Sequence, residues 1–285
     1  MSTKSAKNKP AGKVPSLISD QKLQQLYTTM LKCRILDSHA GSLHGGASWK
    51  GLEAAAVGTA IDLRAEDAIV FSSGAAVASF LKDVPLHSIF AASHKRSSHG
   101  VKKRQKNVAT ATASAQGTLA TGIAYAHNTG SKGSVTVAFL SGNPASSEAG
   151  RAALQFAGAH KLPIIYVYRE EAVDAAQMYS YGFPVIPVDG SDVVAVYRVA
   201  YECTIRAREG GGPSVIACAF VSKSRSGAKT QDPIRNMEEY LSAKGLDKNE
   251  RKESIIRAFE KAIAAAKKAP ARQKTEHPSR HVFVI

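Results

Sequence analysis

Residues 135–171, VTVAFLSGNPASSEAGRAALQFAGAHKLPIIYVYREE, decide the fold of this chain. The apolar run at 135–140 predicts a buried strand, and it stops at four turn-forming residues, Ser141-Gly142-Asn143-Pro144. An alanine-rich helix capped by Ser146 or Ser147 follows, and the apolar run at 164–168 predicts a second strand. A strand, a helix and a strand of these lengths form a βαβ unit, whose two strands are parallel.

The ends of these two strands are where the sequence predicts a ligand site. In open parallel sheets, ligands bind beyond the carboxyl ends of the strands. Here those ends are residues 141–147 and 169–173. The rest of the chain alternates apolar runs with helical patterns, which predicts an α/β fold: a three-layer, mainly parallel sheet with helices on both faces.

The helix that begins near Ser114 has small residues throughout, which permit close packing. Its predicted inward residues are Leu119, Ala120, Ile123 and Ala124. The apolar residues of the helix after Ser147 recur at helical i, i+3, i+4 spacing and are Ala149, Ala152, Ala153, Phe156 and Ala157.

Length and composition bound the class of protein. The chain has 285 residues, 44% of them hydrophobic, which supplies enough apolar material for a core. We expect one domain over residues 19–270, with a disordered basic tail at 1–18 and a polar tail at 271–285. No apolar run approaches the roughly 18 residues of a membrane span, and residues 1–15 lack the apolar stretch of a secretory signal. A cytoplasmic location is therefore expected.

Three cysteines, Cys33, Cys203 and Cys218, are widely spaced in apolar surroundings. This pattern predicts buried thiols in a reducing compartment, and it does not predict a disulfide framework or a zinc site.

The formal net charge of +15 raises the prospect of a polyanion partner. Basic residues cluster at 94–96 and 102–106, but no aromatic residues interleave with them. Charge spread over solvated faces is the favoured interpretation, and a basic polyanion-binding module stays as a further alternative.

No familiar catalytic signature occurs in the sequence, which has no His-Glu-x-x-His, Gly-x-Ser-x-Gly or Gly-x-Gly-x-x-Gly pattern. The glycine-rich stretch 41–50 lacks the Gly-Lys-Ser/Thr ending of a phosphate loop. Within it, His44 and Trp49 either face a ligand or, more commonly for such residues, take part in the loop and the core.

Several short stretches, in this order, resemble one known family. The first, Gly51–Gly58 (GLEAAAVG), is similar to the family pattern G-Q-E-A-x-x-V-G. The others are Leu63–Asp67, Ser114–Gln116 with Ala120–Gly122, Lys161–Pro163, Val188–Asp192, Glu209–Pro213, Gln231–Pro233 and Val282–Phe283. They resemble the α subunit of the decarboxylating component of 2-oxo acid dehydrogenase complexes, of pyruvate or branched-chain type.

The resemblance implies an oxidoreductase of the thiamine diphosphate-binding fold that uses thiamine diphosphate and Mg²⁺. It also implies a β-type partner in a heterotetramer of two α-type and two β-type subunits. In that family the partner holds the aminopyrimidine half of the cofactor and its activating glutamate. This chain would supply the diphosphate half.

In the family, an aspartate in a Gly-Asp-Gly turn and the second of two asparagines after the next strand hold Mg²⁺, which prefers hard oxygen ligands. The matching positions give Gly142, Asn143, Ser147, Gln116 and Glu171 as candidate cofactor-binding residues. The turn aligns either as Gly142-Asn143-Pro144 or as Ser141-Gly142-Asn143, and neither alignment keeps the aspartate. Asn143 and Glu171 are the candidate metal ligands, and the alternative for Glu171 is a solvated loop. No catalytic residue is assigned.

Other family contacts are replaced in this chain. Where the family has Tyr-Arg and a nearby His on the diphosphate, this chain has Ser73-Gly74 and Ala76. The segment from Glu171 to Tyr181 is shorter than in the family, and the late loop at 223–229 has no histidine. Two functions follow from the resemblance: an α-type subunit with a rearranged diphosphate site, or a catalytically inactive paralogue acting as a structural or regulatory subunit. The accumulated replacements favour the second.

Overall fold

The computed structural model describes residues 18–44, 48–72, 74–94, 107–130, 133–170, 181–220, 232–246 and 249–268. Within these ranges, six strands form one sheet in the order β2-β1-β3-β4-β6-β5, and every neighbouring pair is parallel. The strands are β1 (Ala68–Phe71), β2 (Val108–Thr110), β3 (Thr136–Leu140), β4 (Ile164–Glu170), β5 (Val185–Asp189) and β6 (Ser214–Ala219). The predicted parallel α/β fold is confirmed.

The helices connect the strands and cover the sheet. They are α1 (Asp20–His44), α2 (Glu53–Ala60), α3 (Ala75–Leu81), α4 (Leu86–His94), α5 (Gln116–Gly130), α6 (Glu148–Ala159), α7 (Val193–Arg208), α8 (Pro233–Ala243) and α9 (Asn249–Lys268). A short 3-10 turn, Pro144–Ser146, precedes α6. None of the described helices is both long enough and apolar enough to cross a membrane.

The predicted central unit is β3–α6–β4. Its two strands pair in parallel, with Val137 opposite Ile165 and Phe139 opposite Val167. Both strands consist largely of buried residues because helices cover both faces of a parallel sheet.

Side chains alternate between the two covered faces of the sheet. Tyr166 packs with Ala120 of α5 and Leu154 of α6 on one face. Ile165 packs with Val196 of α7 on the other. The molecule therefore has the three layers that were predicted. All three cysteines are buried free thiols, as predicted.

The sides of α5 and α6 that face the sheet differ from what the apolar pattern indicates. Leu119, which was predicted to point inward, is 38% exposed, and Phe156, one of the apolar residues at helical spacing in α6, is 42% exposed. The sheet is contacted instead by Ala120 of α5 and by Leu154 and Ala157 of α6, all of which are fully buried. Alanine counts as apolar on either face of a helix, so a run of alanines does not fix which side turns inward.

Candidate functional site

The carboxyl end of β3 is fastened to the start of α5 by Gln116. The backbone N–H of Ser141 donates to Gln116 Oε1 at 3.0 Å, and Gln116 Nε2 donates to Ser141 Oγ at 3.2 Å. Ser141 Oγ also lies 2.8 Å from Ser72 Oγ, which follows β1. Gln116 is only 1% exposed, so both ends of its buried amide hold the edge of the sheet together.

The predicted residues of the turn build the start of α6. Asn143 Oδ1 accepts the backbone N–H of Ala145 at 2.8 Å, and Ser147 Oγ accepts the backbone N–H of Gly150 at 3.1 Å. Each is thus a capping residue, which satisfies a donor that the helix start leaves free. Gly142 lies in the same turn, with open space where a Cβ atom would be.

The structure therefore brings four of the five candidate cofactor-binding residues, Gln116, Gly142, Asn143 and Ser147, to one edge of the sheet. The fifth, Glu171, lies outside the described residues. So do the basic residues at 95–106 and the late loop at 223–229.

Trp49 packs against the backbone of Gly74 at this edge. Gly74 has a φ of +73°, and a Cβ atom placed on it would lie 2.0 Å from Trp49 Nε1. The indole is 6% exposed and meets the ring of Phe139, near the end of β3, edge-on at 5.3 Å between centroids. Position 74 is where the resemblance expects an arginine, and the indole fills the space into which its side chain would extend.

The packing interpretation of Trp49 is thus the correct one for this residue. The backbone N–H of Trp49 donates to Asp37 Oδ2 at 3.0 Å, and Ser48 Oγ donates to the same oxygen at 2.6 Å. These bonds hold the chain before α2 against α1. They fix the approach of the indole to Gly74.

Glu53 and Asp232 have structural partners in stretches that carry the family resemblance. Arg34 Nε donates to Glu53 Oε1 and Arg34 Nη1 donates to Asp232 Oδ2, each at 2.7 Å. Glu53 Oε2 also accepts the backbone N–H of Gly51 at 2.9 Å. Burial acts to raise the pKa of Asp232, but the hydrogen bonds from Arg34 and from backbone amides outweigh it and lower that pKa.

Two arginines at the carboxyl edge were not named as candidate site residues from the sequence, although Arg169 falls in the range 169–173 predicted for the ligand site. Arg151, in α6, donates from Nη1 to the carbonyl oxygen of Ala145 at 3.1 Å. Arg169, near the end of β4, places its guanidinium carbon 5.2 Å from the centroid of the Phe220 ring. Both are exposed. A cation immediately after a buried apolar run, as Arg169 is, was the available signal.

The described residues of this edge do not fit Mg²⁺ and a diphosphate as the family holds them. Mg²⁺ prefers carboxylate oxygens, whereas Asn143 offers a neutral amide oxygen that already accepts a backbone N–H. Across the described ranges, His, Cys, Asp and Glu form no group of three or more that could hold a metal. The position of the expected arginine is closed by the Trp49 indole.

Known proteins resemble this chain over most of its length. A family model described as dehydrogenase E1 component matches residues 21–223. The pyruvate dehydrogenase E1 component subunit alpha of Staphylococcus epidermidis is 25% identical, over 89% of this chain and 79% of that protein. The 2-oxoisovalerate dehydrogenase subunit alpha of Bacillus subtilis is 26% identical, over 84% of this chain and 87% of that protein.

The 3-methyl-2-oxobutanoate dehydrogenase subunit alpha of Mycobacterium tuberculosis is 30% identical, over 80% of this chain and 73% of that protein. A solved structure, transketolase from Leishmania mexicana, matches with a TM-score of 0.48 at 15% identity, over 88% of this chain and 46% of that one. That structural likeness is too weak to support an inference. The family match spans well over half of the chain, and the chain therefore belongs to the dehydrogenase E1 component family as an α-type member.

Proposed function

We propose that this chain is a non-catalytic α-type subunit of a 2-oxo acid dehydrogenase. It assembles with a β-type subunit into a heterotetramer of two α-type and two β-type chains, and it does not bind thiamine diphosphate and Mg²⁺. The observation that carries the proposal is the Trp49 indole against Gly74. The buried indole occupies the space that the side chain of a diphosphate-binding arginine at position 74 would need.

The energetic consequence is large for an anionic ligand. A hydrogen bond to a charged group contributes about 1.5–3 kcal/mol, and a guanidinium makes two such bonds to one phosphate. Replacement of the turn aspartate by Asn143 removes a negative ligand for the metal as well. Each change weakens the same half of the cofactor site, so their effects on binding act in the same direction.

We further propose the domain boundaries of the chain and the location of the complex. Residues 19–270 form the domain that meets the partner, with the tails 1–18 and 271–285 outside it, and the complex acts in the cytoplasm. Limited proteolysis of the purified complex tests the boundaries: cleavage confined to the two tails agrees with them. Early cleavage within 19–270 contradicts them.

The decisive experiment uses the complex with a β-type subunit from the same organism. We expect no saturable heat in isothermal titration calorimetry when thiamine diphosphate and Mg²⁺ are added together. We also expect no decarboxylation of pyruvate or branched-chain 2-oxo acids. The control is the Bacillus subtilis 2-oxoisovalerate dehydrogenase α subunit with its own β subunit.

Turnover of any 2-oxo acid by the complex would contradict the proposal. So would Mg²⁺-dependent binding that the Asn143→Ala substitution weakens, because that result would place Asn143 among the ligands.

A rearranged diphosphate site, with Asn143 and Glu171 as metal ligands, is the second candidate. The observation that favours it is the pair of exposed guanidinium groups, Arg151 and Arg169, at the carboxyl edge. This alternative predicts Mg²⁺-dependent binding that falls about tenfold or more in Arg169→Gln, the loss expected for one charge-assisted hydrogen bond. Binding that is absent in the unmodified complex would exclude it.

A further inference from the structure

A groove between α1 and α9 is lined entirely by polar side chains. Lys32 Nζ of α1 lies 5.7 Å from the centroid of the Phe259 ring. Further along, Lys267 Nζ of α9 lies 3.3 Å from His39 Nδ1, so the two helices run side by side in the same direction. The groove between them has a volume of about 360 Å³, within the range of about 300–1,000 Å³ for small-molecule sites. Its lining residues are Arg251 of α9 and, from α1, Gln21, Gln24, Gln25, Thr28, Thr29 and Lys32.

The hydroxyl groups of the groove are free to bond to a ligand. In three other helices, Thr59, Thr121 and Thr204 each donate to the carbonyl oxygen four residues earlier, at 2.7 Å. Thr28 and Thr29 make no such bond, and within the described part of the chain neither hydroxyl has a partner. Threonine also has a low helix propensity, so a pair of threonines inside a 25-residue helix is not explained by the stability of that helix.

The two cations of the groove lack counter-ions, unlike the cations around them. Lys22 and Arg34 of α1 and Lys252 of α9 each pair with a carboxylate at 2.7 Å. Lys32 and Arg251 form no ion pair with any residue that the structure describes, although both line the groove. Two positive charges that face one groove without a carboxylate attract an anion, and a phosphate dianion matches both of them.

The lining also limits what else the ligand can contain. It has no aromatic side chain on which a nucleobase could stack, and no Leu, Ile, Val or Met that could hold an acyl chain. Carboxamide and hydroxyl groups both donate and accept hydrogen bonds, as the hydroxyl groups of a sugar do. A guanidinium can bind a phosphate through two parallel hydrogen bonds, and an ammonium adds a second charge. The lining therefore matches a ligand that has a phosphate at one end and hydroxyl groups along the rest.

We propose that the groove between α1 and α9 binds a small phosphorylated sugar. Lys32 and Arg251 hold its phosphate, and the glutamines and threonines of α1 bond to its hydroxyl groups. None of the candidate cofactor-binding residues lines this groove. The sugar phosphate site is therefore separate from the carboxyl edge of the sheet, and it goes beyond the proposed function.

Isothermal titration calorimetry on the purified full chain tests the site, with glucose 6-phosphate as the probe. The titration is done in about 0.15 M NaCl, which screens the general attraction of an anion to a chain with a formal net charge of +15. We expect one molecule bound per chain, with a dissociation constant of roughly 0.1–1 mM because the groove is open to solvent. Glucose lacks the phosphate and inorganic phosphate lacks the sugar hydroxyl groups, so each should bind at least about tenfold more weakly.

Substitutions separate the two halves of the ligand. Arg251→Gln and Lys32→Gln should each weaken binding of glucose 6-phosphate by about tenfold, the loss expected for one charge-assisted hydrogen bond. Thr28→Val should weaken it by about threefold or more and leave binding of inorganic phosphate unchanged, because it removes a hydroxyl without changing the charge. The matched control is Lys261→Gln, which removes the same charge from an exposed position of α9 outside the groove and should leave binding unchanged. Far-UV circular dichroism should show that all variants are folded.

The proposal is overturned if glucose 6-phosphate gives no saturable heat, or if inorganic phosphate binds as tightly as glucose 6-phosphate does. It is also overturned if Lys261→Gln weakens binding as much as Arg251→Gln does, or if Thr28→Val leaves binding of glucose 6-phosphate unchanged. The titration contains no thiamine diphosphate, Mg²⁺ or β-type subunit, so its outcome is independent of the proposed function.

Discussion

Arg208 and Asp67 form a bidentate ion pair at the amino edge of the sheet. Nη1 lies 2.9 Å from Oδ1 and Nη2 lies 2.5 Å from Oδ2. The carboxylate is fully buried and also accepts the backbone N–H groups of Arg64 and Val135. The pair thus joins the last residue of α7 to the chain just before β1 and β3, at the opposite edge from the candidate site.

Removal of the Asp67 charge should destabilise the protein strongly. In Asp67→Asn, Arg208 keeps its charge in a largely buried position without its counter-ion, which costs about 3–5 kcal/mol of the free energy of unfolding. Urea denaturation measures the loss. The control is Arg235→Gln, which breaks an exposed i,i+4 pair with Glu239 and should cost about 0.5 kcal/mol or less. Equal losses in the two variants would contradict the structural role of the buried pair.

The contact between Trp49 and Gly74 gives a second prediction. Gly74→Ala puts a Cβ atom both in a left-handed backbone conformation and against the indole, so strain and overpacking add. Gly245→Ala introduces the strain alone, because its φ is +68° and nothing lies within 4 Å. We expect Gly74→Ala to be less stable than Gly245→Ala by about 1–3 kcal/mol, the usual cost of overpacking.

Overpacking at position 74 should also displace the indole of Trp49, the only tryptophan in the chain, and its fluorescence measures this displacement independently of stability. Emission of Trp49 should shift to longer wavelength in Gly74→Ala, as the indole moves toward solvent, and should stay constant in Gly245→Ala. Unchanged emission in both variants would show that the indole does not occupy this position.

Asp232 should make stability depend on pH in the acidic range. The pKa of Asp232 is lower in the folded state than in the unfolded state. The ionised carboxylate therefore adds to the free energy of unfolding above its unfolded pKa, about 3.9, and this stabilisation is lost as the pH falls through the pKa of the folded state. Asp232→Asn should therefore lower the melting temperature at neutral pH, and the difference should shrink below about pH 4. Asp192→Asn is the control, because Asn caps a helix about as well as Asp. A difference in melting temperature between Asp232→Asn and the unmodified protein that stays constant from neutral to acidic pH would contradict the role of the Arg34 contact.

The three cysteines should be unreactive in the folded protein. Burial raises the pKa of Cys218 to about 12, and burial likewise raises the pKa values of Cys33 and Cys203. Since the thiolate is the reactive form, a thiol reagent at about pH 8 should label none of them before unfolding and all of them afterwards. Rapid labelling of any cysteine in the native protein would show that its surroundings are open.

The central βαβ unit could be predicted because its signals are local. Each strand is a continuous apolar run, and Ser141 to Pro144 can hardly continue a strand, so neighbouring residues decide the structure. The Trp49–Gly74 contact could not be predicted in this way, because it joins residues that only the folded chain brings together. The orientation of α5 and α6 was missed for a different reason. Their many small residues satisfy the helical pattern on more than one face.

The Trp49–Gly74 packing also bears on how this lineage can change. An arginine introduced at position 74 would meet the indole, and removal of the indole alone would leave a hole beside Phe139. Each substitution is therefore expected to destabilise the fold on its own. The two positions are coupled, so an arginine at this edge can be accommodated only if both are changed together.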